Sequence, residues 1–144
     1  MLVRSTVPDF FQEDTPDALR CQVDWLIREV GVDDAFFARL VGTDEATFSG
    51  WRSLEGALPP GGEETLRGLW RTVLHLLSFL GFDGPRVRDL FLREMPASAG
   101  GQSPLTPPWA GASLKAYLER AGADGIERVD GWVTGLRFGD PYVA

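Results

Sequence analysis

The sequence predicts an all-α fold, a helix-turn-helix bundle followed by a small C-terminal helical domain, and three observations point to it. Apolar residues recur at helical spacing in successive stretches from Asp17 onward. Glycine- and proline-containing breaks separate those stretches, and nowhere does an apolar–polar alternation read as a strand. With 144 residues, 44% of them hydrophobic and 11% aromatic, the chain has material for one core, or for two small lobes sharing one.

Residues 1–16 form an acidic arm without periodicity, in which Phe10 and Phe11 are free to dock. The first helix places Leu19, Val23, Leu26, Ile27 and Val30 on one face and closes at Gly31. A second, short helix starts at Asp33 or Asp34 and runs through Phe36, Phe37 and Leu40 to Gly42. Thr43 or Asp44 caps a third, from Glu45 to about Leu54, with Phe48 and Trp51 as its apolar pair.

The stretch Glu55 to Gly62 contains Pro59 and Pro60 and breaks the pattern. A long helix follows from Glu63, with Leu66, Leu69, Trp70, Val73, Leu74, Leu77 and Leu80 inward. Glu64, Arg67, Arg71, His75 and Ser78 make its polar stripe, so His75 is expected on the solvated side. Leu76 and Phe79 fall outside the main apolar face, and they motivate a homodimer through this helix.

Asp83, Gly84 and Pro85 end one helix and open the next, whose inner face is Val87, Leu90, Phe91 and Met95, with Pro96 as its stop. Residues 97–108 are a Ser-, Gly- and Pro-rich linker and the best domain boundary in the chain. Beyond Trp109, Ser113 caps a helix with Leu114, Tyr117, Leu118 and Ala121 inward, and Gly122 terminates it. A last helix from about Asp124 carries Ile126, Val129, Trp132, Val133 and Leu136.

Composition narrows function. The net charge is −7, and no segment of the chain is basic. A protein built to grip nucleic acid draws most of its affinity from neutralising phosphates, so any DNA binding here needs a local patch or a dimer. One cysteine excludes a disulfide framework and a multi-cysteine zinc site. Cys21 reads as a half-buried packing residue, and the acidic pairs Asp33/Asp34, Asp44/Glu45 and Glu63/Glu64 sit at helix starts, where the helix dipole accounts for them. The expectation is a cytoplasmic protein that is not an enzyme and needs no cofactor and no metal: no leader is read at Met1-Leu2-Val3-Arg4-Ser5, and no run is long enough to span a bilayer.

The strongest local signal is Asp34 to Ser53. A helix-turn-helix needs a small residue midway along its first helix, a residue tolerant of positive φ in the turn, and apolar residues inside the second helix. Ala38, Gly42, and Phe48 with Trp51 meet those needs in order, though a plain helical corner has the same requirements. The residues placed to contact DNA are Arg39, Thr43, Glu45, Thr47, Ser49 and Arg52. Asp44 and Glu45 set two carboxylates against phosphate, so the motif reads equally as a retained scaffold.

The helix-turn-helix, Trp51-Arg52 followed by Leu58-Pro59-Pro60, the long helix, and a domain opening Trp109-Ala110-Gly111-Ala112-Ser113-Leu114 together resemble the Xre/MbcA/ParS class of antitoxins. The resemblance implies an Xre-like domain over 17–96, a linker over 97–108 and a toxin-binding helical domain with a tail over 109–144. The Gly111, Ser113, Leu114 and Leu118 pattern, the turn at Gly122 to Ile126, and Val129, Trp132 and Val133 carry the C-terminal part of it. It implies a RES-domain toxin as partner, a protein that consumes NAD or uses it to modify a target, with repression of the antitoxin's own operon as a second role.

The toxin-contacting candidates are then Trp109, Ser113, Trp132, Arg137, Phe138, Asp140 and Tyr142. Cationic, aromatic and acidic groups in one tail can fill a pocket and pair with charges. Two packing alternatives stand beside this. Phe138 and Tyr142 can fold back on Trp132, and Trp109 can anchor the linker to the core. The competing functions are an Xre-like transcriptional regulator without a toxin partner and an adaptor that dimerises through the long helix.

Overall fold

A computed structural model describes residues 15–81, 83–96 and 106–137, the side chains of 136 and 137 excepted. Among these the protein is all-helical, with six helices and one isolated bridge between Glu94 and Ser113. The acidic arm lies almost wholly outside the described residues, as does most of the 97–108 segment.

Helix α1 (Pro16–Trp25) starts where Thr15 Oγ1 accepts from the Ala18 N–H at 3.1 Å, with Pro16 in the first turn. It runs on into a π-helical turn, Leu26–Val30, closed by the Gly31 N–H donating to Leu26 O at 3.2 Å. Gly31 takes φ 90°, a conformation that favours glycine. The Asp33 and Asp44 carboxylates cap α2 (Asp34–Val41) and α3 (Glu45–Arg52), accepting from the Phe36 and Thr47 N–H groups at 2.9 and 2.7 Å. The connection between α2 and α3 is Gly42-Thr43-Asp44, with Gly42 at φ 80°. Phe37 on α2 and Phe48 on α3 stack with centroids 5.1 Å apart, which fixes the two helices to each other.

The third helix ends two residues earlier than the sequence suggests. Ser53 caps it, and the next turn is closed by the Leu54 N–H to Trp51 O and the Glu55 N–H to Gly50 O, at 3.2 and 2.7 Å. Leu54 occupies the left-handed position that glycine usually fills, at φ 67°, with its side chain exposed.

Helix α4 (Gly62–Phe79) is the central element, packed against α1, α2, α5 and α6. Because it is covered from so many directions, its buried set is wider than one stripe. Leu76, expected outside the main face, is buried, and of the two residues that suggested a dimer only Phe79 remains exposed. Thr72 is buried too, and His75 is half-buried, because α6 lies across the polar stripe. By contrast Cys21, expected to be half-buried, is exposed on α1.

Helix α5 (Gly84–Leu92) buries Val87 and Phe91 and packs on the π-helical turn. The chain after it meets the chain before α6 directly. The Met95 N–H donates to Ala112 O at 2.9 Å and the Gly111 N–H to Met95 O at 3.0 Å, so the ends of the Ser/Gly/Pro-rich segment are bonded to each other. Helix α6 (Leu114–Arg137) is capped by Ser113 Oγ, which accepts from the Ala116 N–H at 3.0 Å, and is interrupted at Gly122 (φ 64°, ψ −142°). One core runs through both sides of the segment: Trp25, Phe36, Phe48, Trp51 and Leu69 share it with Trp109, Leu114, Leu118, Val129 and Val133.

Leu54→Gly is expected to stabilise the protein by about 0.5–1 kcal/mol. It removes the left-handed penalty of roughly 1–2 kcal/mol and gives back part of it as backbone entropy. A rise in the urea midpoint at constant m checks this; a fall would mean that the Leu54 side chain makes a contact worth more than the strain.

Candidate functional site

The α2–α3 pair holds the residues read from sequence as nucleic-acid contacts, and its geometry begins with one carboxylate. Asp34, in the first turn of α2, faces α3 across the turn. Its Oδ2 accepts from Ser49 Oγ at 2.9 Å, and its Oδ1 takes Arg52 Nη1 at 2.9 Å. Arg52 reaches Asp24 on α1 as well, at 3.4 Å. Ser49 and Arg52 are therefore engaged inside the protein, with the Arg52 guanidinium set between two carboxylates.

Arg39 is engaged from the other end of the chain. Its Nη1 lies 3.0 Å from Glu119 Oε2 on α6, an oxygen shared with Lys115 Nζ at 3.4 Å. Arg39 and Arg52 are the basic residues of the α2–α3 pair, and each has a carboxylate partner. What α3 offers to solvent is Asp44, Glu45, Ala46 and, past its end, Ser53, Leu54 and Glu55. Two hydrogen bonds from Thr47, from its backbone N–H and its side chain, hold the Asp44 carboxyl below the usual carboxylate range, so this end stays anionic. Thr43 and Thr47 are half-buried and Glu45 is exposed, so the six predicted contacts do not converge on a cationic surface.

Trp51, beside Arg52, is fully built in. Its Nε1–H donates to Glu63 Oε2 at 3.2 Å, its carbonyl accepts from Arg20 Nε at 2.7 Å, and the Arg20 guanidinium lies 4.8 Å from its ring centroid. The Trp51-Arg52 dipeptide thus ties α3 to α1, α2 and α4.

The C-terminal candidates divide. Trp109 is buried and packs edge-to-face on Trp132, centroids 5.2 Å apart, so its ring belongs to the core and not to a contact surface. Neither indole N–H of that pair has an acceptor among the described residues. Trp132 is half-buried, and Ser113 is spent on the helix cap. The Arg137 side chain, Phe138, Asp140 and Tyr142 lie outside the described residues.

A cleft of about 670 Å³ lies between α4 and α6, lined by Glu64, Gly68, Arg71, Ile126, Glu127 and Asp130 among others. At its side Asp130 Oδ1 sits 2.6 Å from His75 Nδ1 and 3.3 Å from Thr72 Oγ1. His75 is thus a bridge between two helices, where the sequence pattern suggests a solvated surface residue. The partners that reasoning from sequence missed are Asp34, Asp24, Glu119 and Asp130, all carboxylates that act across the fold. Only Asp34 carried a local signal, standing on the helix next to Ser49 and Arg52.

No family model matches the chain, and no curated protein or solved structure matches it either.

Two predictions follow from the caps and braces. Asp34→Ala leaves Arg52 and Ser49 without their shared acceptor and is expected to cost about 1–3 kcal/mol, read as a lower urea midpoint at unchanged m. An unchanged midpoint would show that Asp24 and solvent replace Asp34. The Asp44 carboxyl titrates lower in the folded than in the unfolded chain, so its stabilisation is present above the unfolded value of about 3.9 and fades as pH falls through the folded one. Thermal melts from pH 5 down to pH 2.5 should therefore show a steeper loss for the wild type than for Asp44→Asn. Parallel curves would contradict it.

Proposed function

We propose that this protein is a type II antitoxin that binds and neutralises a RES-domain toxin, with repression of its own operon as an accessory role. The reading rests on the resemblance to the Xre/MbcA/ParS class, and one structural observation supports it. Two short helices joined by a left-handed glycine turn, α2 and α3, pack in the same core as a C-terminal helical element that follows a Ser/Gly/Pro-rich segment. That is the order of parts the resemblance implies. Under this reading α2 and α3 are the Xre-like helix-turn-helix, α4 is its long supporting helix, and α6 with the tail from Arg137 is the toxin-binding part.

The electrostatics favour neutralisation over repression as the main activity. Arg39 and Arg52 are held by carboxylates, and the outer face of α3 is anionic. Phosphate neutralisation drives protein–DNA affinity, so duplex binding in this conformation is weak. Toxin binding asks nothing of those arginines.

Co-expression with a RES-domain toxin tests the reading: the full chain should restore growth and co-purify with the toxin in stoichiometric amount. Removing Phe138 to Ala144 should leave the thermal melt unchanged and abolish rescue, because those residues carry the aromatic and charged groups expected to enter the toxin. Rescue by the truncated chain would take the tail out of the site, and failure of the full chain to bind any RES-domain toxin would favour a transcriptional regulator.

A further inference from the structure

Arg52 and Arg39 are restrained in different ways. Arg52 is held by Asp34 and Asp24, both from the first two helices, so its restraint is internal to the N-terminal half. Arg39 is 63% exposed, and its carboxylate partner, Glu119, comes from α6, 80 residues away in sequence. The other contacts around it are set by the same docking: α6 packs along α2, and a Cβ on Gly122 would lie 3.7 Å from the Leu40 carbonyl oxygen. Glu119 is itself mostly buried, 16% exposed, which fixes its carboxylate in place while Arg39 stays open to solvent.

We propose that Glu119 is an autoinhibitory latch. By holding Arg39, it withholds from nucleic-acid phosphate the cation of the α2–α3 pair whose restraint depends on α6. Displacement of α6 by a partner frees Arg39, so partner binding and duplex binding are coupled through this one carboxylate. The inference rests on reading α2 and α3 as a DNA-binding pair and α6 as the partner-binding element. Lys115, one turn before Glu119, shares the same carboxylate oxygen and is the other cation that its loss would release.

The test uses the full chain and a generic 30-base-pair duplex, with affinity read by fluorescence anisotropy over a range of salt. Glu119→Gln is expected to tighten binding about two- to fivefold, the range an exposed ion pair supplies. The slope of log affinity against log salt should steepen by about 0.9, one further phosphate contact. Glu127→Gln makes the same charge change at an exposed α6 residue with no ion pair among the described residues, and should do neither. In an Arg39→Ala background the Glu119→Gln effect should vanish.

Four results would overturn the latch. Equal tightening by Glu119→Gln and Glu127→Gln would assign the effect to net charge. Persistence in the Arg39→Ala background would assign it to Lys115. Weakening by Arg39→Ala with no effect of Glu119→Gln would remove the latch while leaving the DNA-binding pair intact. Absence of duplex binding by the wild type and every variant would remove the DNA-binding reading itself, and the latch with it. Circular dichroism and a thermal melt on each variant confirm that the fold is unchanged.

Discussion

The break at Gly122 is the constraint on which the arrangement depends. A straight 24-residue helix would be about 36 Å long and could follow one neighbour only. At φ 64° and ψ −142° the chain leaves helical geometry for one residue, a conformation close to exclusive to glycine. The first half of α6 then lies on α2, where Glu119 meets Arg39 and Gly122 meets the Leu40 carbonyl, and the second half lies on α4, where Ile126 meets Gly68 and Asp130 meets His75. The break itself crowds one further position: a Cβ at Gly125 would come 2.6 Å from the Ala121 Cβ on the other side of it, whereas one at Gly68 would meet Ile126 at an ordinary 3.6 Å.

Once α6 is placed, the electrostatics of the molecule follow. The chain has a surplus of carboxylates, and the fold spends them on its own arginines and on its one histidine. Asp24 and Asp34 take Arg52, Glu119 takes Arg39, Glu63 takes the Trp51 indole and Arg67, and Asp130 takes His75. Exposed pairs of this kind contribute little each. The Asp34 cluster differs because a half-buried carboxylate satisfies a hydroxyl and a guanidinium at once, so breaking it leaves two donors uncompensated.

Much of the fold was legible in the sequence, for local reasons. Helix starts at Asp33, Asp44 and Ser113 follow from side chains that accept a backbone N–H, and stops at Gly31 and Gly42 from residues that tolerate positive φ. Phe48, Trp51, Leu118 and Val129 were legible as core from spacing alone. What escaped was whatever depends on a second element. His75 lies on the polar stripe of α4 and is polar for a reason the stripe does not reveal: Asp130, 55 residues later, is its partner. Leu76 is off the main face of its own helix yet inside the protein, because α4 has neighbours on several sides. Leu54 adopts a glycine conformation without being glycine, which no pattern of residue types announces.

The pairing of the candidate residues escaped for the same reason. Sequence spacing places Arg39, Ser49 and Arg52 near the outer side of a two-helix motif, where they look available. Availability is a property of the whole electrostatic environment, and here each has a carboxylate or hydrogen-bond partner within 3.0 Å. The α2–α3 pair can therefore keep its geometry while losing its cationic surface. Such a pair still has work to do in this fold. Trp51 ties α3 to α1 and α4, the Phe37–Phe48 stack joins α3 to α2, and Arg39 anchors the C-terminal helix. A motif that serves as the docking platform for α6 cannot present the same side chains to DNA at the same moment. Docking of α6 and the proposed DNA contact therefore compete for Arg39, and where α6 lies decides between them.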